Sequence, residues 1–298
     1  MQLNPPTQTF ASVTIFVCAS LWGLYWVPLR YVEEGGVHGG WAVLMLNLPA
    51  ALALLPIVVL TWGRHRPHLR TSLLIGLMTG AGMAFYASGL IYSSVVRATL
   101  LFYLTPVWAT LIGMIWLGER ATWVRWVAIA MGLLGLLMLV SGGSGSVPLN
   151  IGDFFALLSG IFWAIGAALI MRFKGVPLPG MVMVQFAVTA GLAVLVSAFV
   201  IGAPKPELDA LSNALPFSVV VSLLAFLPAV GTIFWAQKFL FPGRAGLLMM
   251  SEVLVAVISA SLFIPEEAMS AVEWAGAVLI ICACLVEVLG TPKETASA

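Results

Sequence analysis

Charge is what this chain has least of. Only 8% of its 298 residues are Asp, Glu, Lys or Arg, against about 25% in soluble domains. No water-soluble core could hide the 61% that are hydrophobic, which excludes an ordinary globular domain. Histidine is as sparse: His38, His65 and His68 all fall in polar connections, with no His-Glu-x-x-His motif and no paired intramembrane aspartates. That leaves little with which to do chemistry and argues against an enzyme. The three cysteines, Cys18, Cys282 and Cys284, lie inside apolar runs and read as small packing residues, so neither a disulfide nor a metal site nor any cofactor is expected. The net charge of +1 comes without a long basic or acidic run, which speaks against nucleic-acid binding and against a polybasic lipid anchor. Met1 to Thr9 carries no Lys or Arg before the first apolar run, and that run is long enough to cross a bilayer, so no cleaved signal peptide is expected.

What the chain has is apolar runs. A helix needs about 20 such residues to cross the hydrocarbon. The runs are continuous rather than alternating at period two, which selects helices over a closed barrel. Breaks at charged or Gly/Pro-rich positions give ten expected spans, at roughly 11–30, 41–62, 72–92, 96–117 and 123–140, then 152–171, 180–202, 214–237, 244–264 and 271–290. The Gly/Ser stretch Ser141 to Ser146 separates two halves, 1–145 and 146–298. With the amino terminus in the cytoplasm, ten of thirteen basic residues face that side: Arg64, Arg66, Arg70, Arg120, Arg125, Arg172, Lys174, Lys238, Arg244 and Lys293. Only Arg30, Arg97 and Lys205 fall on the other. The expectation is a multi-pass protein of a bacterial inner membrane with both termini cytoplasmic.

The halves resemble each other. Gly82-x-x-Phe85-Tyr86-Ala87 matches Gly231-x-x-Phe234-Trp235-Ala236, 149 residues later. Glu119, Trp126 and Ala128 match Glu267, Trp274 and Gly276 at an offset of 148, and Ala19-x-x-Trp22-Gly23 matches Gly160-x-x-Trp163-Ala164 at 141. Three matches in one order read as duplication of a five-span unit. Five is odd, so the second unit must be inverted relative to the first, the arrangement of secondary transporters with a solute site near the midplane.

The segments Ser20-Leu21-Trp22-Gly23, Tyr103-x-Thr105-Pro106-Val107 and Leu117-Gly118-Glu119-Arg120, followed by a Gly-rich span five, resemble the EamA-type drug/metabolite transporter superfamily. The aromatic-rich spans one, three, four and six are most similar to its YddG-type bacterial aromatic amino acid exporters. The resemblance covers both halves and implies a basket of helices around a central cavity, spans five and ten at the rim, and export of amino acids or related metabolites. The second half departs from the pattern, with Leu254 opposite Pro106 and Glu266-Glu267 opposite Gly118-Glu119, so the halves need not share roles.

Glu252 is the one acid near the middle of an expected span. A buried carboxylate costs several kcal/mol unless it is paired, protonated or wetted, so it either binds solute or carries a proton, or else braces a neighbouring helix. Trp22, Tyr86, Tyr103, Trp163 and Trp235 lie well inside spans, away from the interfacial belts. They suit either a flat-walled amino acid cavity or a packing core. Asn47 and Gln185 either bind solute or hydrogen-bond between helices. Ser251 and Thr105 add weaker polar candidates. Pro28, Pro49, Pro106 and Pro228 should kink their spans, which suits hinges, although proline is common in membrane helices. The pairs and triads Ala19/Gly23, Gly160/Ala164/Ala168 and Gly76/Gly80 are packing features. Arg30 and Arg97, at outer span ends, either snorkel or line a vestibule.

The absence of charged rings or a carbonyl-filter pattern favours a carrier over a channel. The absence of Lys or Arg at midplane depth argues against phosphorylated cargo. The sequence therefore predicts a carrier exporting neutral amino acids, aromatic ones among them, by alternating access. Efflux of drugs or lipophilic cations is the alternative, and a solute channel ranks behind both. The small-molecule solute and the lipid bilayer are its expected partners, and the oligomeric state stays open.

Overall fold

A computed structural model describes residues 8–142, 149–263 and 270–290, the side chains at 96, 100, 139–142, 257, 284 and 287–290 aside. The separating stretch Ser141 to Ser146 therefore lies mostly outside the described residues, as do Glu266, Glu267, Lys293 and the Cys284 side chain. Among the described residues there is no strand. In chain order the helices are α1 (Gln8–Trp22), α2 (Trp26–Glu34), α3 (Gly40–Leu60), α4 (Trp62–His65), α5 (Leu69–Tyr92), α6 (Val95–Phe102), α7 (Thr105–Leu117) and α8 (Trp123–Gly142). There follow α9 (Ile151–Arg172), α10 (Leu178–Leu195), α11 (Leu208–Val221), α12 (Leu227–Gln237), α13 (Pro242–Met249), α14 (Ser251–Phe263) and α15 (Ala271–Gly290). Wider π turns, Val196–Ile201 and Ser222–Phe226, extend α10 and join α11 to α12.

Among the described residues, seven helical stretches are long and apolar enough to cross a bilayer: Gln8–Glu34, Gly40–Leu60, Trp62–Tyr92, Ile151–Arg172, Leu178–Ile201, Leu208–Gln237 and Pro242–Phe263. Three shorter apolar helices, Thr105–Leu117, Trp123–Met138 and Ala271–Ala283, occupy the places of expected spans four, five and ten. Large apolar side chains cover the outside; Leu60, Ile115 and Phe199 are each more than four-fifths exposed. Such a surface is stable only against lipid.

Local chemistry explains where helices start and stop. Asn150 and Asp153 form a reciprocal capping box at the start of α9. Gly118 ends α7 in the left-handed conformation, φ 68°. The expected proline kinks take another form. Pro106 sits in the first turn of α7, where a missing N–H leaves no bond unmade, and Pro28 lies in the first turn of α2; each follows a break in the helix. Pro228 follows the π turn Ser222–Phe226 inside the continuous stretch Leu208–Gln237, and Pro49 is interior to α3.

Small residues set the contacts. A methyl added at Gly80 would meet the Gln185 carbonyl and the Val188 side chain of α10, both at 2.7 Å. One added at Gly160 would meet the Phe102 carbonyl at 2.7 Å. The principal helix pairs are α3 with α10, α8 with α15, α5 with α9 and α5 with α10, while α1 packs on α12, α13 and α14.

Candidate functional site

Three expected spans are interrupted. The first breaks at Gly23 to Tyr25 between α1 and α2, the fourth at Tyr103 and Leu104 between α6 and α7, and the ninth at Met250 between α13 and α14. These breaks converge. A methyl at Gly23 would sit 2.5 Å from the Glu252 carbonyl, 2.8 Å from Val255 and 2.9 Å from Ala256, so break one lies directly on the first turn of α14. The Tyr103 hydroxyl, from break four, is 2.6 Å from the Glu252 carboxyl Oε2 and 2.7 Å from the Met249 carbonyl. Glu252 itself is in the first turn of α14 and 1% exposed, where free N–H groups favour an acid.

That hydroxyl has one hydrogen and two close oxygen neighbours. If Glu252 were ionised, Tyr103 could serve only one of them. With a proton on the carboxyl, Glu252 donates to Tyr103 and Tyr103 donates to the Met249 carbonyl, so every short contact holds a hydrogen. A neutral carboxyl thus satisfies the contacts among Glu252, Tyr103 and Met249.

Around the pair runs an arc of rings. Phe102 packs on Tyr103 at 4.9 Å between centroids and on Tyr86 at 4.7 Å; Tyr86 faces Tyr25 at 6.5 Å, and Tyr25 stacks on Trp22 at 5.2 Å and Phe226 at 5.0 Å. Tyr86 hydrogen-bonds Thr99 at 3.3 Å and lies within electrostatic reach of Glu252. A closed cavity of about 10 Å³ is lined by Trp22, Tyr86, Phe102, Trp163, Met249 and Glu252, among others. This is room for one water and no more. Among the described residues Trp163 Nε1 and Glu252 Oε1 are buried without a hydrogen-bond partner, one donor and one acceptor at the same small space.

On the other side of Trp22, Tyr25 and Phe226 lies a cleft of about 580 Å³ between α1–α2 and α11–α12, lined mainly by apolar residues such as Leu21, Leu24, Val221 and Leu224. The same helices are also joined by ring contacts, Tyr31 with Phe217 at 4.3 Å and Phe10 with Trp235 at 5.9 Å. Leu21 and Leu224 are largely exposed, so the cleft opens sideways, toward lipid.

Of the residues singled out in the sequence, Trp22, Tyr86, Trp163 and Glu252 line the central cavity, and Tyr103 holds Glu252. Asn47 is buried near the Tyr25 hydroxyl and donates to the Val43 carbonyl at 2.8 Å. Six others lie elsewhere. Gln185 donates to Thr189 at 3.2 Å, and Thr189 reaches the Gly80 carbonyl at 3.2 Å, so it joins α10 to α5. Ser251 donates to the Phe16 carbonyl at 3.0 Å, tying α14 to α1. Trp235 packs on Phe10 and Phe239. Thr105 donates to the Phe102 carbonyl across break four. Arg97 is ion-paired to Asp153 at 2.5 Å, and Arg30 lies over the Trp26 ring at 5.5 Å. Tyr25, Phe102, Phe226 and Met249 were not anticipated. The Trp22/Tyr25 spacing beside Gly23 was a usable signal for the first of these, since i and i+3 share a helix face. No cluster of metal-binding side chains occurs among the described residues.

Comparison with known proteins places this geometry. The profile of the EamA-like transporter family matches residues 9–141 and 150–289. The chain is 28% identical to the uncharacterized inner membrane transporter YedA of Escherichia coli (strain K12) over 289 residues, covering 91% of this chain and 90% of that one. It is 24% identical to the uncharacterized transporter YvbV of Bacillus subtilis (strain 168), covering 100% and 97%. A shorter match, 31% identical over 93 residues and 30% of this chain, is to an S-adenosylmethionine uptake transporter of Rickettsia conorii. A solved structure described only as a crystal structure of protein superposes with a TM-score of 0.68 at 20% identity, covering 94% of this chain and 95% of that one, a likeness of fold.

Proposed function

We propose, from the premise that this chain belongs to the EamA-like transporter family, that it exports neutral amino acids, aromatic ones foremost, and related metabolites across the inner membrane. The transport is secondary and proceeds by alternating access. Membership makes it a membrane transporter; the solute and the cycle are our reading. The observation that carries it is the meeting of three helix breaks on Glu252 inside a ring of aromatic side chains. Discontinuous helices near the midplane are how carriers expose backbone and side-chain polar groups to a solute.

The proposed architecture is ten crossings in two inverted five-helix repeats, 1–145 and 146–298, with both termini cytoplasmic. The family profile matches the chain in two segments, which fits. So does the packing: expected spans two and seven (α3, α10) pair, spans five and ten (α8, α15) pair, and span one on span eight is answered by span three on span six. Each is what a two-fold axis in the membrane plane would generate.

Solute sites of this kind occupy about 300–1,000 Å³, far more than the central space here. Loading therefore requires the α1–α2 and α11–α12 helices to part from the α13–α14 break. A bound zwitterion would place its ammonium on Glu252 once the proton leaves, and its ring among Trp22, Tyr86 and Trp163. Prolines just after the breaks leave those turns free to swing.

The wide apolar cleft, one aromatic layer from Glu252, favours a second reading, efflux of lipophilic cations. Uptake of labelled Trp, Phe and Tyr into inverted vesicles, beside methyl viologen and ethidium, separates the two. Saturable accumulation of the amino acids, lost in Glu252→Gln, is the expected result. Movement of the dyes alone would replace the first reading with the second, and neither would dispose of both.

A further inference from the structure

The cations at one end of the bundle are scattered in the sequence but gathered by the fold. Arg64 and His65 from α4, Lys174 from the α9–α10 connection and Lys238 after α12 line a single pocket of about 360 Å³, with Ile57, Thr61 and residues 175–179 completing it. No Asp or Glu is among its lining residues, and among the described residues Arg64, Lys174 and Lys238 form no ion pair. The buried acid Glu119 is paired to Arg125. Arg172 is engaged elsewhere, its guanidinium 5.1 Å over the Trp116 ring and 3.3 Å from the Trp116 carbonyl.

Two further features point the same way. The pocket wall includes Pro177, Leu178 and Pro179 at the start of α10, an 18-residue helix whose N-terminus has no side-chain cap; the two prolines have no N–H to give, so this end offers the pocket its dipole more than donors. His65 is 4% exposed, and its Nδ1 has no hydrogen-bond partner among the described residues. Like charges are crowded without relief: burial, and then the charge of Arg64, push the Lys238 ammonium down to about 8. Lys238 nonetheless spends one N–H on the Val176 carbonyl at 2.6 Å, leaving two for a ligand.

Basic loops that only fix orientation in the membrane have no need to share a pocket, and here three connections from both halves of the chain do. We propose that this pocket binds a phosphate-bearing anion, held by Arg64, Lys174, Lys238 and His65 on the free end of α10. The bound group would clamp the α3–α5, α9–α10 and α12–α13 connections together and so favour the arrangement in which this end of the bundle is shut. A phospholipid headgroup and a soluble phosphate offer the same chemistry.

The purified full chain in neutral detergent provides the test. Thermal unfolding would be followed with added phosphatidylglycerol, phosphatidylethanolamine, inorganic phosphate or pyrophosphate, and retained lipid would be counted by native mass spectrometry. A saturable rise in Tm is expected, and in Lys174→Gln/Lys238→Gln the half-saturating concentration should rise at least tenfold. Lys238→Arg, and Arg120→Gln outside the pocket lining, should bind normally. A response to phosphatidylglycerol without one to phosphate supports a headgroup; a response to both supports a soluble anion. Equal weakening in Arg120→Gln would overturn the site as mere surface charge, as would no response in the wild type. Should the double variant fold poorly, Arg64→Gln tests the same pocket from another connection.

Discussion

The hydrogen count at Tyr103 makes a sharp prediction about two substitutions that look alike. Tyr103→Phe removes the hydroxyl between the Glu252 carboxyl, at 2.6 Å, and the Met249 carbonyl, at 2.7 Å. One buried donor, the Glu252 carboxyl O–H, and one buried acceptor, the Met249 carbonyl, lose their partner, and each stranded polar group costs about 1–3 kcal/mol. The loss should be about 2 kcal/mol or more, which for a chain of this size is a fall in Tm of roughly 4–8 °C. Glu252→Gln has the same shape, and its amide donates to Tyr103 as a protonated carboxyl would, leaving Tyr103 to serve Met249. Its stability should stay within about 1 kcal/mol of the wild type, while transport fails because the amide can neither release a proton nor pair with an ammonium. Thermal unfolding in detergent, followed by tryptophan fluorescence, and vesicle transport measured on the same preparations give both numbers. If Glu252→Gln falls as far as Tyr103→Phe, the acid is ionised in the resting protein and the reasoning fails.

Gly23→Ala should push α1 off α14, since the new methyl meets the Glu252 carbonyl at 2.5 Å; overpacking of this sort costs about 1–3 kcal/mol and should appear as a lower Tm. Asp153→Asn loses the Arg97 ion pair and weakens the α9 capping box, together about 1–2 kcal/mol in the same assay. Arg125→Ala strands the buried Glu119 carboxylate and should cost about 3–5 kcal/mol, with Arg125→Ala/Glu119→Ala recovering part of that in a double-mutant cycle. Trp235→Ala, outside the central cavity, should leave the half-saturating solute concentration unchanged while Trp163→Ala raises it.

Membrane character and most helix positions were readable from apolar runs, because lipid admits few other solutions. The breaks were not. An interrupted span and an intact one share the same hydrophobic run, and neither Tyr103-Leu104 nor Met250 carries a Gly or Pro of its own to mark it. Of the prolines read as kinks, Pro28 and Pro106 lie in the first turns after breaks, while Pro49 is interior to α3. Trp235 matched Tyr86 by sequence yet faces Phe10. The π turn at Ser222–Phe226, which α5 lacks, turns the face that follows by up to about 100°. Glu252 was found because an acid in an apolar run has to be explained.

Tyr103 and Glu252 join one helix break from each half of the chain, a phenol to an acid. In the proposed cycle a perfectly duplicated protein would have two open forms equal in energy. Unlike groups at the junction would remove that degeneracy and give the molecule a preferred resting side even with no gradient across it. The gradients alone would still set which way net flux runs.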